Sequence, residues 1–224
     1  MFKKVSNGLL AALLCAQISW ASPTGLNNIP TTDVAPDRTL VAQTWLTTGG
    51  EMKPLYVTGA KYGTINRMEL GIDSKVGSGK SGPVALQAKL KVFGSDFGFS
   101  ALAGTEGITF DGDISENIVP YVVASQDLKI SEDVQLFRLH AGYGFQKHNF
   151  SVFGGVDRSF KIWGQEFIPR SDIKQVNDGR DLLISAGFLL TLPFNLALET
   201  WLNIPTEDGA EESMTIKLDY IMKF

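Results

Sequence analysis

Beyond its first two dozen residues this chain shows no helical rhythm and instead returns to runs of about ten residues in which apolar and polar side chains alternate. Twelve such strands are predicted, near Thr39–Thr47, Pro54–Tyr62, Ile65–Asp73, Val84–Val92, Phe97–Ala103, Asn117–Ser125, Leu136–Gln146, Phe150–Asp157, Glu166–Val176, Leu182–Leu192, Leu196–Ile204 and Met214–Phe224. A period of two sends successive side chains to opposite faces of a strand. Met68, Leu70 and Ile72 therefore oppose Arg67, Glu69 and Asp73, while Leu86, Ala88 and Leu90 oppose Gln87, Lys89 and Lys91. Phe137, Leu139 and Tyr143 oppose Arg138 and His140, and in the last run Ile216, Leu218 and Tyr220 oppose Lys217 and Asp219. One face is oily and the other ionic.

A soluble sandwich also alternates, so loop length has to discriminate. Connections around Gly63, at FGSD and at PFN are tight, whereas TGGEMK, SKVGSGKSGP, GTEGITFDGDISE and PTEDGAEES are longer, polar and mostly glycine-bearing. QKHN, which is short, and QDLKISED, which is long, depart from this order. Short turns on one rim and long loops on the other describe an all-β fold: a closed antiparallel transmembrane up-and-down barrel of ten to twelve strands, with its turns periplasmic and its loops external. Closure is a physical requirement, because an open edge would leave backbone N–H and C=O groups unpaired in hydrocarbon.

The N-terminus supports export. Lys3 and Lys4, an apolar run from Gly8 to Ala16, and Ser19 and Ala21 in an S-x-A arrangement predict a signal peptide over residues 1–21. Its core is too short for a membrane-spanning helix, and no later stretch supplies one. The single cysteine, Cys15, falls inside it, so no disulfide is expected; Leu14 disfavours a lipid anchor there. Pro23, Pro30 and Pro36 make residues 22–37 poor helix or strand, which predicts a periplasmic or lumen-entering extension ahead of a barrel at 38–224. The expected location is the bacterial outer membrane, in contact with its lipid and lipopolysaccharide.

The last residues, Tyr220, Met222 and Phe224 with Leu218 and Ile216 behind them, resemble the C-terminal signal of Gram-negative outer-membrane β-barrels, including porins. That resemblance implies recognition by the barrel-assembly machinery, and a final strand that pairs with the first. The leader GLNNIPTTDVAPDRTLV resembles the segment before the barrel in YjbH-like, exopolysaccharide-associated outer-membrane proteins, which implies an envelope or polysaccharide-export partner.

If the apolar face meets lipid, then Arg67, Glu69, Asp73, Lys89, Lys91, Arg138, His140, Asp157, Glu199, Lys217 and Asp219 point inward. So many ionisable groups must be paired or hydrated. Two outcomes stay open: the charges line a porin-like passive path and filter solutes, or they zip across a closed structural or binding barrel. Trp201 shares a face with Glu199 and Asn203, and Trp45 with Gln43; indoles beside polar groups suit sugar stacking, although space filling or rim anchoring is the commoner role.

Other chemistry finds little support. A formal charge of −4, which becomes more negative once the two leader lysines are removed, gives no basic cluster for nucleic acid. An outer-membrane lipid hydrolase needs a histidine that activates a serine; of the two histidines, His140 has no serine two positions on, and His148 shares no strand face with Ser151. FDGDISEN and TEDGAEES lack the spacing of a calcium loop, so no metal or cofactor is expected. A non-enzymatic barrel is the expectation.

Overall fold

The computed structural model describes residues 24–50, 52–64, 67–76, 84–94, 98–109, 118–131, 134–146, 149–176 and 180–224. The expected signal peptide with Cys15, the histidine His148 and most of the residues of several long loops lie outside these.

The strands are β1 (Thr39–Gly49), β2 (Met52–Thr64), β3 (Met68–Val76), β4 (Val84–Gly94), β5 (Phe99–Thr109), β6 (Val119–Ser131), β7 (Val134–Gln146), β8 (Asn149–Asp157), β9 (Phe160–Ile162), β10 (Gln165–Val176), β11 (Asp181–Leu192), β12 (Leu196–Pro205) and β13 (Ser213–Lys223). Each pairs antiparallel with its neighbour in sequence, except that β10 bypasses β9 to pair with β8. The ring is sealed by β1 and β13, in register from Thr39 opposite Lys223 to Thr48 opposite Met214. Twelve strands thus form a closed up-and-down barrel, with β9 as an extra strand. Each of the twelve wall strands has a partner on both sides, the condition a wall facing hydrocarbon has to meet, while β9 pairs with β10 alone.

β9 escaped the sequence reading because three residues are too few to show a period. It folds against the start of β10 around Trp163 and Gly164, which have φ of 50° and 80°. Two consecutive residues with positive φ make the kind of tight hairpin turn whose twist suits paired strands. The long QDLKISED connection also has a simple resolution: Gln126–Ser131 continues β6, so only residues 132–133 separate β6 from β7.

The outward faces are apolar. Ile72, Leu86, Leu90, Val122, Leu139, Val152, Ile184, Leu202, Ile216 and Leu218 project from the wall, and most of them are more than a third exposed. Tyr56, Tyr62, Phe145 and Tyr220 lie on the same surface toward strand ends, where an aromatic body meets lipid and a polar tip meets headgroups. The packed core lies inside the barrel.

Candidate functional site

Register brings the inward charges together. Glu69 is directly opposite Lys89 on β3 and β4, Glu199 opposite Lys217 on β12 and β13, and Asp157 opposite both Arg138 and Arg170 on the strands flanking β8. Directly opposed residues of an antiparallel pair are near neighbours, and the side chains meet. Lys89 Nζ is 3.7 Å from Glu69, Lys217 Nζ is 2.8 Å from Glu199 and 3.3 Å from Asp219, and Arg138 is 2.7 Å from Asp157. Arg170 closes on the second oxygen of Glu199. Asp73 accepts hydrogen bonds from Gln43 at 2.7 Å and Gln87 at 2.8 Å.

Arg67 is a correction: it is not on a strand at all, but exposed in the turn before β3, with φ of 62°. Its neighbours in the alternating run, Glu69 and Asp73, do face inward. Lys91 is half-buried near the rim, where β4 and β5 slip register. Tyr220 and Phe224 face outward, as the apolar side of the closing strand; Met222 is half-buried, and the Phe224 amide donates to the Arg38 carbonyl at 3.0 Å.

The lumen is occupied by residues 24–37. A turn closed by a bridge between Gly25 and Pro30 and by the Leu26 amide donating to the Ile29 carbonyl at 3.0 Å is lodged across it. The amides of Asn27 and Asn28 both donate to Asp172 Oδ2, at 2.9 and 3.2 Å. Arg170 donates to Asn27 Oδ1 and to the Gly25 carbonyl. Glu69 receives the Thr24 hydroxyl and the Ala35 amide, each at 2.8 Å, so one carboxylate holds both ends of the segment. Lys89 donates to the Thr24 carbonyl.

Leu26 and Ile29 pack against Leu102, Tyr121, Val123 and Phe153, an apolar patch on the inner wall of β5, β6 and β8. Gly155 on β8 leaves the space they need: a Cβ there would lie 2.4 Å from Leu26 Cδ1 and 3.0 Å from Ile29 Cδ1. An inner wall facing water alone would have no reason to carry this patch.

Asp33 binds Arg138 at 2.8 Å, which joins the segment to the Asp157–His140–Ser125 chain. Burial pushes the Asp33 carboxyl up, but the Arg138 guanidinium outweighs it and holds the group below the usual carboxylate range. His140 contacts Ser125 through Nδ1 at 2.7 Å and Asp157 through Nε2 at 3.2 Å. The serine absent from its own strand is supplied by β6, where Ser125 stands directly opposite. It is 2% exposed.

Sequence reading passed over Arg170, Asp172, Lys61, Asp33 and Ser125. The same alternation could have found two of them, since Ile168, Arg170 and Asp172 share a face of β10. Among the described residues no group of three or more His, Cys, Asp or Glu is arranged to hold a metal ion.

No family model and no curated protein matches this chain. Solved structures do. A KdgM porin in complex with disordered oligogalacturonate superposes with a TM-score of 0.61 at 12% identity, over 81% of this chain and 98% of that one. The NanC porin superposes with a TM-score of 0.53 at 13% identity, over 81% and 98%. Identities this low speak to fold alone. Together with the sealed ring and its oily exterior, they show that this chain has the porin-like fold of a closed, up-and-down antiparallel β-barrel.

Proposed function

We propose that this protein resides in the bacterial outer membrane as a barrel closed by its own N-terminal segment, acting as a binding or structural barrel rather than an open passage. The observation that carries this reading is the seating of residues 24–37, with charge-assisted hydrogen bonds from three sides of the wall and two apolar side chains in a fitted patch. A segment merely resting in a water-filled pore would gain neither. The inward charges serve the same end, because they pair with each other or with the segment. The fold of its porin neighbours favours the rival reading, a passive passage filtered by a charged lumen. A polyanion such as the oligogalacturonate of the KdgM complex would find no basic surplus here: Lys61, Lys89, Arg138, Arg170, Lys174 and Lys217 are matched by Glu69, Asp73, Asp157, Asp172, Glu199 and Asp219.

The Ser125–His140–Asp157 chain acts in this reading as a clamp across β6, β7 and β8, since a nucleophile sealed from substrate has no reaction to perform. Surface partners are outer-membrane lipid and lipopolysaccharide on the apolar belt, the barrel-assembly machinery at Tyr220, Met222 and Phe224, and an envelope or polysaccharide-export component at the external loops. Planar-bilayer recording tests the central point. The intact protein is expected to stay silent and a variant lacking residues 24–37 to conduct in discrete steps. Stepwise conductance from the intact protein would overturn the closed-barrel reading.

A further inference from the structure

Between the N-terminal segment and the rim that carries the 206–212 loop lies a cavity of about 350 Å³. That is within the size range of small-molecule sites, roughly 300–1,000 Å³. Its floor is the segment itself, through Thr24, Asn27 and Asn28, so the site rests on the closed-barrel reading above. Its wall carries two indoles, Trp45 on β1 and Trp201 on β12, with β13 between them. Gly187, opposite Trp201, lets β11 and β12 approach closely there: a Cβ would lie 2.0 Å from the Thr200 carbonyl oxygen and 2.5 Å from the Trp201 Cβ.

Polar groups complete the wall. Gln43, Gln87, Asn28 and Asn203 present amides, and Thr47 and Thr215 present hydroxyls. Lys61, Lys89 and Lys217 are matched in number by Asp73, Glu106 and Glu199, so the lining selects neither sign of charge. Three lining residues, each more than nine-tenths buried, have a polar atom without an internal partner: the Trp201 indole N–H and the Gln43 carbonyl oxygen on the wall and the Asn27 amide NH2 on the floor. Leaving such a group unsatisfied costs about 1–3 kcal/mol. These are two donors and one acceptor, on residues that line the cavity together with two indoles, one of which lies under the Arg170 guanidinium, 6.0 Å from the ring centroid.

We infer that this cavity binds a neutral saccharide of one or two sugar units. Sugar C–H faces stack on indoles, and hydroxyls both donate and accept, which answers the unpartnered atoms after a small rotation of each side chain. A charged sugar would bring in an ion that the wall does not compensate. A purely apolar ligand would leave the amides unmet.

Intrinsic fluorescence tests this. With Trp20 and Trp163 both replaced by phenylalanine, emission of the protein in detergent micelles comes from Trp45 and Trp201 alone. Trp163 is 98% exposed in the β9–β10 turn, away from the cavity, so its loss leaves the site intact. Titration with maltose and with diacetylchitobiose is expected to give a saturating emission change for at least one of them in the millimolar range. Gln43→Leu and Asn203→Ala are each expected to weaken it about tenfold, one hydrogen bond's worth. Heat-modifiable gel mobility confirms that each variant is folded; if Gln43→Leu fails there, Asn203→Ala carries the comparison. Digalacturonate is expected to give no saturation. No saturating response to either neutral sugar, a digalacturonate response of equal strength, or full response in folded Asn203→Ala would overturn the inference. Bilayer silence combined with no sugar response defeats the site alone, whereas stepwise conductance with a sugar response defeats only the closed-barrel reading.

Discussion

Glu69 is the residue whose loss should loosen the lumen segment most. It is fully buried, accepts from both Thr24 and Ala35, and pairs with Lys89. Hydrogen bonds to a charged group contribute about 1.5–3 kcal/mol each, so Glu69→Ala should destabilise the seated segment by about 3–6 kcal/mol. Since 1.4 kcal/mol is a factor of ten, the displaced fraction should rise about 10²- to 10⁴-fold. Glu69→Gln keeps an acceptor for the Ala35 amide but loses the charge opposite Lys89 and turns the Thr24 bond round, so that the hydroxyl must accept; its effect should be smaller than that of Glu69→Ala. Hydrogen exchange read by mass spectrometry separates the segment from the wall. Amides of Leu26, Asn27, Asn28 and Ala35 should exchange faster in Glu69→Ala by a factor in that range, while those of β10 to β13 keep their protection. Unchanged exchange over 24–37 in a folded Glu69→Ala barrel would refute the argument. So would equal acceleration in segment and wall, which would mean that Glu69 supports the sheet and not its occupant.

Three further outcomes are expected. Gly155→Val should expel Leu26 and Ile29, because the new side chain takes the space of their methyl groups; bilayer recording should then show conductance in a barrel of unchanged gel mobility. Asp33 has a depressed pKa when folded, so its contribution to seating is complete above the free carboxyl value of 3.8 and lost as pH falls below it; exchange over 31–33, corrected for intrinsic rate, should accelerate in that acid range, and Asp33→Asn should reduce the dependence. Leu218→Lys, on the lipid face near the middle of β13, should cost about 2–4 kcal/mol in urea-dependent folding into lipid vesicles, and a cost near zero would place that face away from hydrocarbon.

The wall was readable because each strand repeats one rule over about ten residues, so that errors at its ends leave its faces correct. Arg67 illustrates the limit: it lies two residues before Glu69 and so matches the inward parity, yet the chain is still turning there, with positive φ. Nothing local marks that. The segment over 24–37 was harder still, because its order comes from partners far along the chain. Asn27 and Asn28 find Asp172, and Ala35 finds Glu69; only the folded ring makes those residues neighbours. Ser125 and His140 were missed as a pair for the same reason, since β-sheet partners are set by register and not by spacing in sequence. Leu102, Tyr121, Val123 and Phe153 put apolar side chains on the inner parity of neighbouring strands, and with Gly155 they are the trace the segment leaves on the wall's sequence.

At Arg38 the chain passes from the interior to the wall: Pro36 and Gly63 hold the bend, and the very next residue starts the strand that meets β13. The lodged segment and the seam are thus consecutive pieces of one thread. During assembly, then, the wall can close through its own strand pairs, and the leading residues enter the ring from the rim at which the first and last strands meet. A folded domain fused ahead of Thr24, too wide to follow it inside, should therefore leave the segment unseated in a barrel that still seals and keeps its gel mobility.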